Sequence, residues 1–321
     1  MLYNLLKLPA KLAFLIWCRH LLINKKEILN AEGPLLIAAN HPNSFLDAVL
    51  LCTLFKKPVY SLARGDVFAN NFFAKILRAL KMLPVYRLSE GPENLDENYK
   101  TFDECIKVFR KNGIVLIFSE GACVNEWNLR PLKKGTARLI IQAWDERIPL
   151  KIIPAGINYS SFSRFGKNII LNFGEPITPE DFPFLPNEAH GTKIQFINSA
   201  IKKELEKSVV QVKPVDEAQL KKIFGIPVSR LKKTLLFIPA IFGFVIHAPL
   251  YIPIQKFAYR KFGRIDHYNS VLVGMLFLLY PFYFIIVAAL TYLILGGWWF
   301  IGVCILLPVT AYSFVQVKDR I

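Results

Sequence analysis

Two long uncharged stretches near the C-terminus limit the possible folds more than any other feature. Residues 270–295 contain no Asp, Glu, Lys or Arg, and neither do residues 298–316. Each is close to the roughly 20 residues that a helix needs to cross a bilayer. They join through Gly296–Gly297, with Trp298 and Trp299 at the joint. That arrangement predicts a transmembrane helical hairpin with aromatic residues at one interface. The preceding segment, 234–255, is also apolar but carries Pro239, Pro249 and Pro253. Those prolines, with basic residues on both sides, favour an interfacial or re-entrant segment over a third crossing.

The charges orient the hairpin. Lys256, Arg260, Lys261 and Arg264 precede the first stretch, Lys318 and Arg320 follow the second, and the Gly296–Trp299 joint has none. By the positive-inside rule both hairpin ends face the cytoplasm, and the rest of the chain with them. The formal net charge of +16 then points to anionic headgroups and phosphorylated substrates. Nucleic acid is a poor fit, because the aromatics interleave with aliphatics in the apolar stretches rather than with arginines along a groove. At the start, Lys7, Lys11 and Arg19 punctuate a leucine- and aromatic-rich run. This reads as a helix lying in the membrane interface over residues 1–29, without the pattern of a secretory signal. Cys18, Cys52, Cys105, Cys123 and Cys304 are scattered and form no CxxC pair. Free thiols in a reducing compartment are expected, with no disulfide framework and no metal site.

Between these ends, residues 30–225 read as one α/β domain. The runs "PLLIAAN", "PVYSLA", "GIVLIFS", "LKIIPAGIN" and "NIILNFG" read as strands. Helical periodicity covers 44–56, 71–81, 95–112 and 134–147. Asn112–Gly113 stops the third of these directly ahead of "IVLIF". A proline-rich connection and a charged amphipathic helix, "KIQFINSAIKKELEKSVV", follow. Residues 226–321 complete the chain as the membrane region.

One strand ends in chemistry. In "LLIAANHPNSFLDAV" the apolar run stops at Asn40, His41 follows, and Asp47 comes after five intervening residues. Alone, the pair also fits a decorated turn. Three further stretches follow in order. Val85-Tyr86-Arg87 ends a short β-run. Phe118-Ser119-Glu120-Gly121 ends a buried run, with Arg130, Lys133 and Lys134 beyond it. Ile153-Pro154-Ala155 interrupts a later strand. Each has a plain reading as a solvated strand end, a turn or an edge marker.

Together, in this order, the four blocks resemble the glycerolipid acyltransferase family, which includes glycerol-3-phosphate and lysophosphatidate acyltransferases. The resemblance covers roughly residues 30 to 180. It implies an α/β acyltransferase domain with a central mixed sheet flanked by helices. It also implies fatty acyl transfer from acyl-CoA or acyl carrier protein to a glycerol-phosphate acceptor, with no bound cofactor. By the same resemblance His41 is the catalytic base and Asp47 its orienting partner. Arg87, Glu120 and Gly121 match acceptor-phosphate positions, and Pro154 matches one linked to the acyl-donor pocket. The chemistry is consistent. A thioester is already activated, so the missing part is a base for the acceptor hydroxyl. A neutral imidazole oriented by a carboxylate supplies it. Backbone N–H groups near Asn43–Ser44 or Gly121 are candidates for the oxyanion.

Two departures stand out. The family usually places four residues between the histidine and the aspartate. The longer spacing here, with proline and asparagine after the histidine, is similar to enzymes that acylate glycerol 3-phosphate or dihydroxyacetone phosphate. The usual Pro-Glu-Gly-Thr-Arg-Ser is here Ser119-Glu120-Gly121-Ala122-Cys123-Val124, so its arginine is missing. Arg130, Lys133 or Lys134 can replace it, and Lys134 is taken as the phosphate ligand. Two other classes stay open: a lysolipid hydrolase using Ser44 or Ser119, and a non-catalytic lipid-binding protein. The hydrolase lacks a G-x-S-x-G elbow.

Overall fold

Strand β2 (Leu35–Ala39) is apolar along its whole length and buried at every position. A strand of that kind belongs in the middle of a sheet covered on both faces. The computed structural model, which describes residues 1–86, 95–182, 184, 188–213 and 216–317, puts it there. The chain opens with α1 (Leu2–Trp17) and β1 (Cys18–Ile23). After β2 come α2 (Phe45–Leu54), β3 (Val59–Arg64), α3 (Asn71–Ala79), β4 (Met82–Val85) and α4 (Leu95–Arg110). Then follow β5 (Ile114–Phe118), α5 (Lys134–Asp145), β6 (Lys151–Tyr159) and β7 (Lys167–Phe173). The sheet order is β1-β7-β6-β2-β5-β3-β4. Neighbours are parallel except β6 and β7, so the sheet is mixed.

Alternate residues of each strand feed opposite faces. Leu36, Ala38, Val115, Ile117 and Ile152 meet α4, α5 and α6 (His190–Ser208) on one face. Leu35, Ile37, Ala39, Leu116 and Ile153 meet α2 and Trp17 on the other. The adjacent strands β2 and β5 therefore send their chains to opposite faces. Their C-terminal ends lie at a topological switch point, the place where open α/β sheets bind ligands.

Strand β1 departs from the expected boundary at residue 30. Residues 18–23 are apolar enough to continue α1, but they pair in parallel with β7 and extend the sheet. The sheet thus takes in residues from Cys18, ahead of residue 30. On α1, Leu5, Leu8, Leu12 and Leu15 form an exposed stripe at helical spacing.

Beyond α7 (Glu217–Phe224) come three helices long and apolar enough to cross a membrane. They are α8 (Arg230–Phe262), α9 (Tyr268–Leu295) and α10 (Trp299–Val317). The segment 234–255 lies within one continuous helix of 33 residues despite its three prolines. Prolines are tolerated in apolar helices where neighbouring helices pack against the freed groups. Both ends of α8 touch the α/β domain. Before it, the Ile226 carbonyl accepts from Arg19 of β1. In its first turn Lys232 bonds Gln316, whose amide donates to the Arg19 carbonyl. After it, residues 266 and 267 reach Asn125 and Ser44. A helix of this length spans about 50 Å, so α8 runs alongside the domain. The hairpin α9–α10 projects from it, with Leu278, Ile285, Leu293 and Trp298 exposed.

Helix α8 meets α10 closely at Gly243. A Cβ built there would stand 2.2 Å from the Thr310 carbonyl oxygen. Small residues at such crossings let apolar helices approach. Gly243→Val is expected to destabilise the protein by about 1–3 kcal/mol through overpacking. Gly302→Val, with nothing within 4 Å of the added Cβ, is expected to be neutral. Thermal unfolding in one detergent compares the two directly.

Candidate active site

The site begins where β2 stops. The Asn40 side chain brackets β6, donating to the Ile157 carbonyl at 3.1 Å and accepting the Ile157 N–H at 2.7 Å. That double bond fixes the end of β2 and hands the chain to His41. Ser44, with φ of 53°, turns the chain in the left-handed region and caps α2. The turn brings Asp47, in the first turn of α2, back to His41. The Asp47 Oδ2 lies 2.9 Å from the His41 Nδ1 and also accepts the Asn43 N–H at 2.8 Å. Oδ1 accepts from the Tyr159 hydroxyl at 2.8 Å. The five intervening residues therefore close into a hydrogen-bonded turn.

Asp47 is fully buried. Its three donors compensate a carboxylate that would otherwise be costly to bury. With the carboxylate at Nδ1, that nitrogen carries the imidazole proton and Nε2 presents its lone pair. The ring stacks on Phe118 at 3.8 Å and 11°. Burial, then the Asp47 charge, pushes the Tyr159 hydroxyl well above its ordinary pKa. It stays a donor to Asp47.

Glu120, just past β5, holds the other side of the turn. One carboxylate oxygen accepts the His41 N–H at 3.0 Å, and the other accepts the Arg130 N–H at 2.9 Å. Burial raises its pKa, opposed by these two backbone bonds. Both oxygens point into the protein, so Glu120 braces main chain rather than reaching outward to a phosphate. Gly121 follows with φ of 69°, and an added Cβ would meet the Lys133 side chain at 2.9 Å. The backbone oxyanion donors expected from the sequence are already used. The Asn43 N–H bonds Asp47, the Ser44 N–H bonds the Cys123 sulfur at 2.9 Å, and the Gly121 N–H bonds the Phe118 carbonyl at 3.1 Å.

The other candidates separate. Arg87 lies outside the described residues. Lys134 opens α5 and is exposed. It lines a groove of about 800 Å³ with Arg130, Asn198 and Lys202. Pro154 is buried in β6, in register with Ala38. Both serines proposed as hydrolase nucleophiles have other partners. The Ser44 Oγ lies 2.8 Å from the His267 Nδ1, and the buried Ser119 hydroxyl accepts from Thr136. Among the described residues each of these serines has its hydroxyl bonded to a residue other than His41. Burial, then the Asp47 charge, pushes the Cys123 thiol up, which keeps it protonated. Sequence reasoning misses the roles of Tyr159 and Phe118, and it assigns the Asn43 N–H to the oxyanion where the structure has it bonding Asp47. Tyr159 closes the strand "LKIIPAGINY", and a polar group at the end of a buried strand is the one available signal.

Behind Tyr159 sits Lys167, 1% exposed. Its Nζ lies 5.3 Å from the Trp17 ring centroid and 5.6 Å from that of Tyr159. It has no hydrogen-bond partner among the described residues. Burial lowers its pKa well below the usual 10.5. The unfolded lysine holds its proton where the folded one does not, so stability rises with pH through that window. Lys167→Met is expected to stabilise the protein at neutral pH by on the order of 1–3 kcal/mol, read as a higher melting temperature. The gain should shrink as pH climbs toward 10.5, and melting curves across that range check it. Tyr159→Phe should instead cost about 1–3 kcal/mol by leaving an Asp47 oxygen unsatisfied, read by the same melts.

Residues 20–158 match the family model described as Acyltransferase. Over 68 residues the chain is 35% identical to Glycerol-3-phosphate O-acyltransferase 1 of Saccharomyces cerevisiae, covering 21% of this chain and 9% of that protein. Over 83 residues it is 30% identical to Glycerol-3-phosphate O-acyltransferase 2 of the same yeast, covering 25% and 11%. The chain thus spans only about a tenth of the length of the curated relatives it matches. Among solved structures, the 1-acyl-sn-glycerophosphate (LPA) acyltransferase PlsC of Thermotoga maritima aligns with a TM-score of 0.44. Its identity is 16%, over 63% of this chain and 78% of that chain.

Proposed function

Since residues 20–158 match the Acyltransferase family model and two stretches are similar to glycerol-3-phosphate acyltransferases, we propose that this chain acylates a glycerol-phosphate hydroxyl from a fatty acyl thioester. The donor is acyl-CoA or acyl carrier protein. The acceptor is glycerol 3-phosphate or 1-acylglycerol 3-phosphate. The observation that carries the proposal is the His41–Asp47 pair, 2.9 Å apart with the carboxylate fully buried, just past the C-terminal end of β2.

In this reading the His41 Nε2 takes the proton of the acceptor hydroxyl as its oxygen attacks the thioester carbonyl carbon. Asp47 stabilises the imidazolium that forms. Collapse of the tetrahedral intermediate breaks the carbon–sulfur bond, and the imidazolium returns the proton to the departing thiolate. Glu120 holds the His41 main chain in register. Arg87 is the acceptor-phosphate ligand by resemblance. Lys134, with Arg130 and Lys202 in the same groove, supplies positive charge for a phosphorylated substrate. Similarity to two glycerol-3-phosphate acyltransferases, with the longer His–Asp spacing, favours glycerol 3-phosphate. The α9–α10 hairpin crosses the bilayer, α8 and α1 lie at its interface, and the α/β domain sits on the cytoplasmic face.

Purified protein in detergent, given labelled acyl-CoA or acyl carrier protein thioesters and either acceptor, tests this. Wild type is expected to transfer to glycerol 3-phosphate. His41→Ala should lose at least about a hundredfold in kcat, the lower range for a positioned base. Asp47→Asn, which leaves the fold but disturbs the tautomer, should lose up to roughly 10⁴-fold. Transfer that survives in His41→Ala contradicts the mechanism.

A further inference from the structure

The His41–Asp47 turn is held from the membrane side as well as from the sheet. Four hydrogen bonds reach the site from the segment that enters α9. The His267 Nδ1 lies 2.8 Å from the Ser44 hydroxyl. The Asn269 side-chain amide donates to the Asn43 side-chain oxygen at 3.3 Å, and the Ser270 hydroxyl donates to the Asn43 carbonyl at 3.2 Å. One residue earlier, Asp266 accepts the Asn125 N–H at 3.0 Å. From these contacts we infer that His267, Asn269 and Ser270 are positioning residues for the catalytic pair. The active site is therefore completed by the first turn of an apolar helix more than two hundred residues away in sequence.

The choice of residues argues for a specific fit. Tyr268, Asn269 and Ser270 head a helix that is otherwise almost wholly apolar. Asn269 is fully buried and Ser270 is 8% exposed. A buried amide and hydroxyl are costly unless they find partners; the Asn269 Nδ2 and the Ser270 hydroxyl find theirs on Asn43, while the Asn269 Oδ1 has none among the described residues. Asn43 is the residue whose N–H holds the Asp47 Oδ2. Ser44 is a non-glycine residue at φ 53°. Such a conformation persists where surrounding contacts over-determine it, and His267 supplies one from outside the domain. Movement of α9 is thus transmitted through Asn43 and Ser44 to the carboxylate that orients His41. Acyl transfer becomes dependent on how the hairpin is seated.

The inference rests on the reading of His41 and Asp47 as the catalytic pair, and its test separates the two. Full-length wild type is compared with Asn269→Ala, Ser270→Ala, Ser270→Thr and His267→Ala, and with Leu278→Ala on the exposed face of α9 as control. All are measured in one detergent, with melting temperatures to confirm folding. Kinetics and chemistry are read side by side. Asn269→Ala and Ser270→Ala are expected to lower kcat at least about tenfold, as a small misplacement of a catalytic group does. KM for donor and acceptor should stay near wild type. Ser270→Thr, which keeps the hydroxyl, should retain wild-type kcat, and so should Leu278→Ala.

The second readout needs no activity. Carbethoxylation of histidines by diethylpyrocarbonate, mapped by peptide mass spectrometry, reports His41 directly. Its rate at His41 should rise several-fold in Asn269→Ala and Ser270→Ala, while His190 reacts as in wild type. Unchanged kcat and unchanged His41 reactivity in folded variants overturn the inference. So does a loss of kcat matched by Leu278→Ala, or one without a change at His41. If wild type transfers no acyl group, the functional reading fails, and the His41 reactivity still decides whether α9 positions the turn. If Asn269→Ala does not fold, Ser270→Ala against Ser270→Thr decides the same question.

Discussion

The structure around the site depends on one buried charge. Asp47 has no solvent exposure, and a carboxylate in that position has to be met by donors. Three elements supply them: the His41 ring from the end of β2, the Asn43 N–H from the turn, and the Tyr159 hydroxyl from the end of β6. Each donor fixes something else. The His41 ring is set with its Nε2 available. The turn adopts its left-handed step at Ser44. β6 is held to β2 through Asn40, whose side chain bonds the Ile157 backbone twice. The sheet order follows the same need, because it puts β2 between β5 and β6. Glu120 and Tyr159 can then converge on one turn from both sides.

Much of this is legible in the chain, and the reasons are physical. The strands "PLLIAAN", "GIVLIFS" and "LKIIPAGIN" are bounded apolar runs, and they are strands β2, β5 and β6. The helices at 44–56, 71–81, 95–112 and 134–147 match α2 to α5 within a few residues, because their periodicity follows the buried face. What is illegible depends on distant partners. Strand β1 continues the apolar pattern of α1, and only pairing with β7 makes it a strand. The prolines of α8 suggest breaks, and the neighbouring helices carry it through as one. Glu120 reads as a substrate ligand, since spacing cannot reveal that both its oxygens are taken by backbone N–H groups. The oxyanion donors fail for a related reason. A backbone N–H looks free in a sequence, and here each already has an acceptor.

The apolar helices also hold the site in this arrangement. Helix α8 is tied to the domain at both ends, by Arg19 and Gln316 at one and by the approach to α9 at the other. The polar head of α9 packs under the turn that carries His41. The turn that carries His41 and Asp47 is thus seated on the root of the apolar hairpin α9–α10.

The central claim is that buried Asp47 fixes His41 with its proton on Nδ1 and its lone pair on Nε2. Nitrogen-15 NMR of histidine-labelled protein in lipid nanodiscs measures that tautomer directly. The account predicts a protonated Nδ1 and an unprotonated Nε2 for His41, with the Nδ1 resonance moving in Asp47→Asn. A proton found on Nε2 of the neutral ring, or a His41 spectrum indifferent to the loss of the carboxylate, would contradict it.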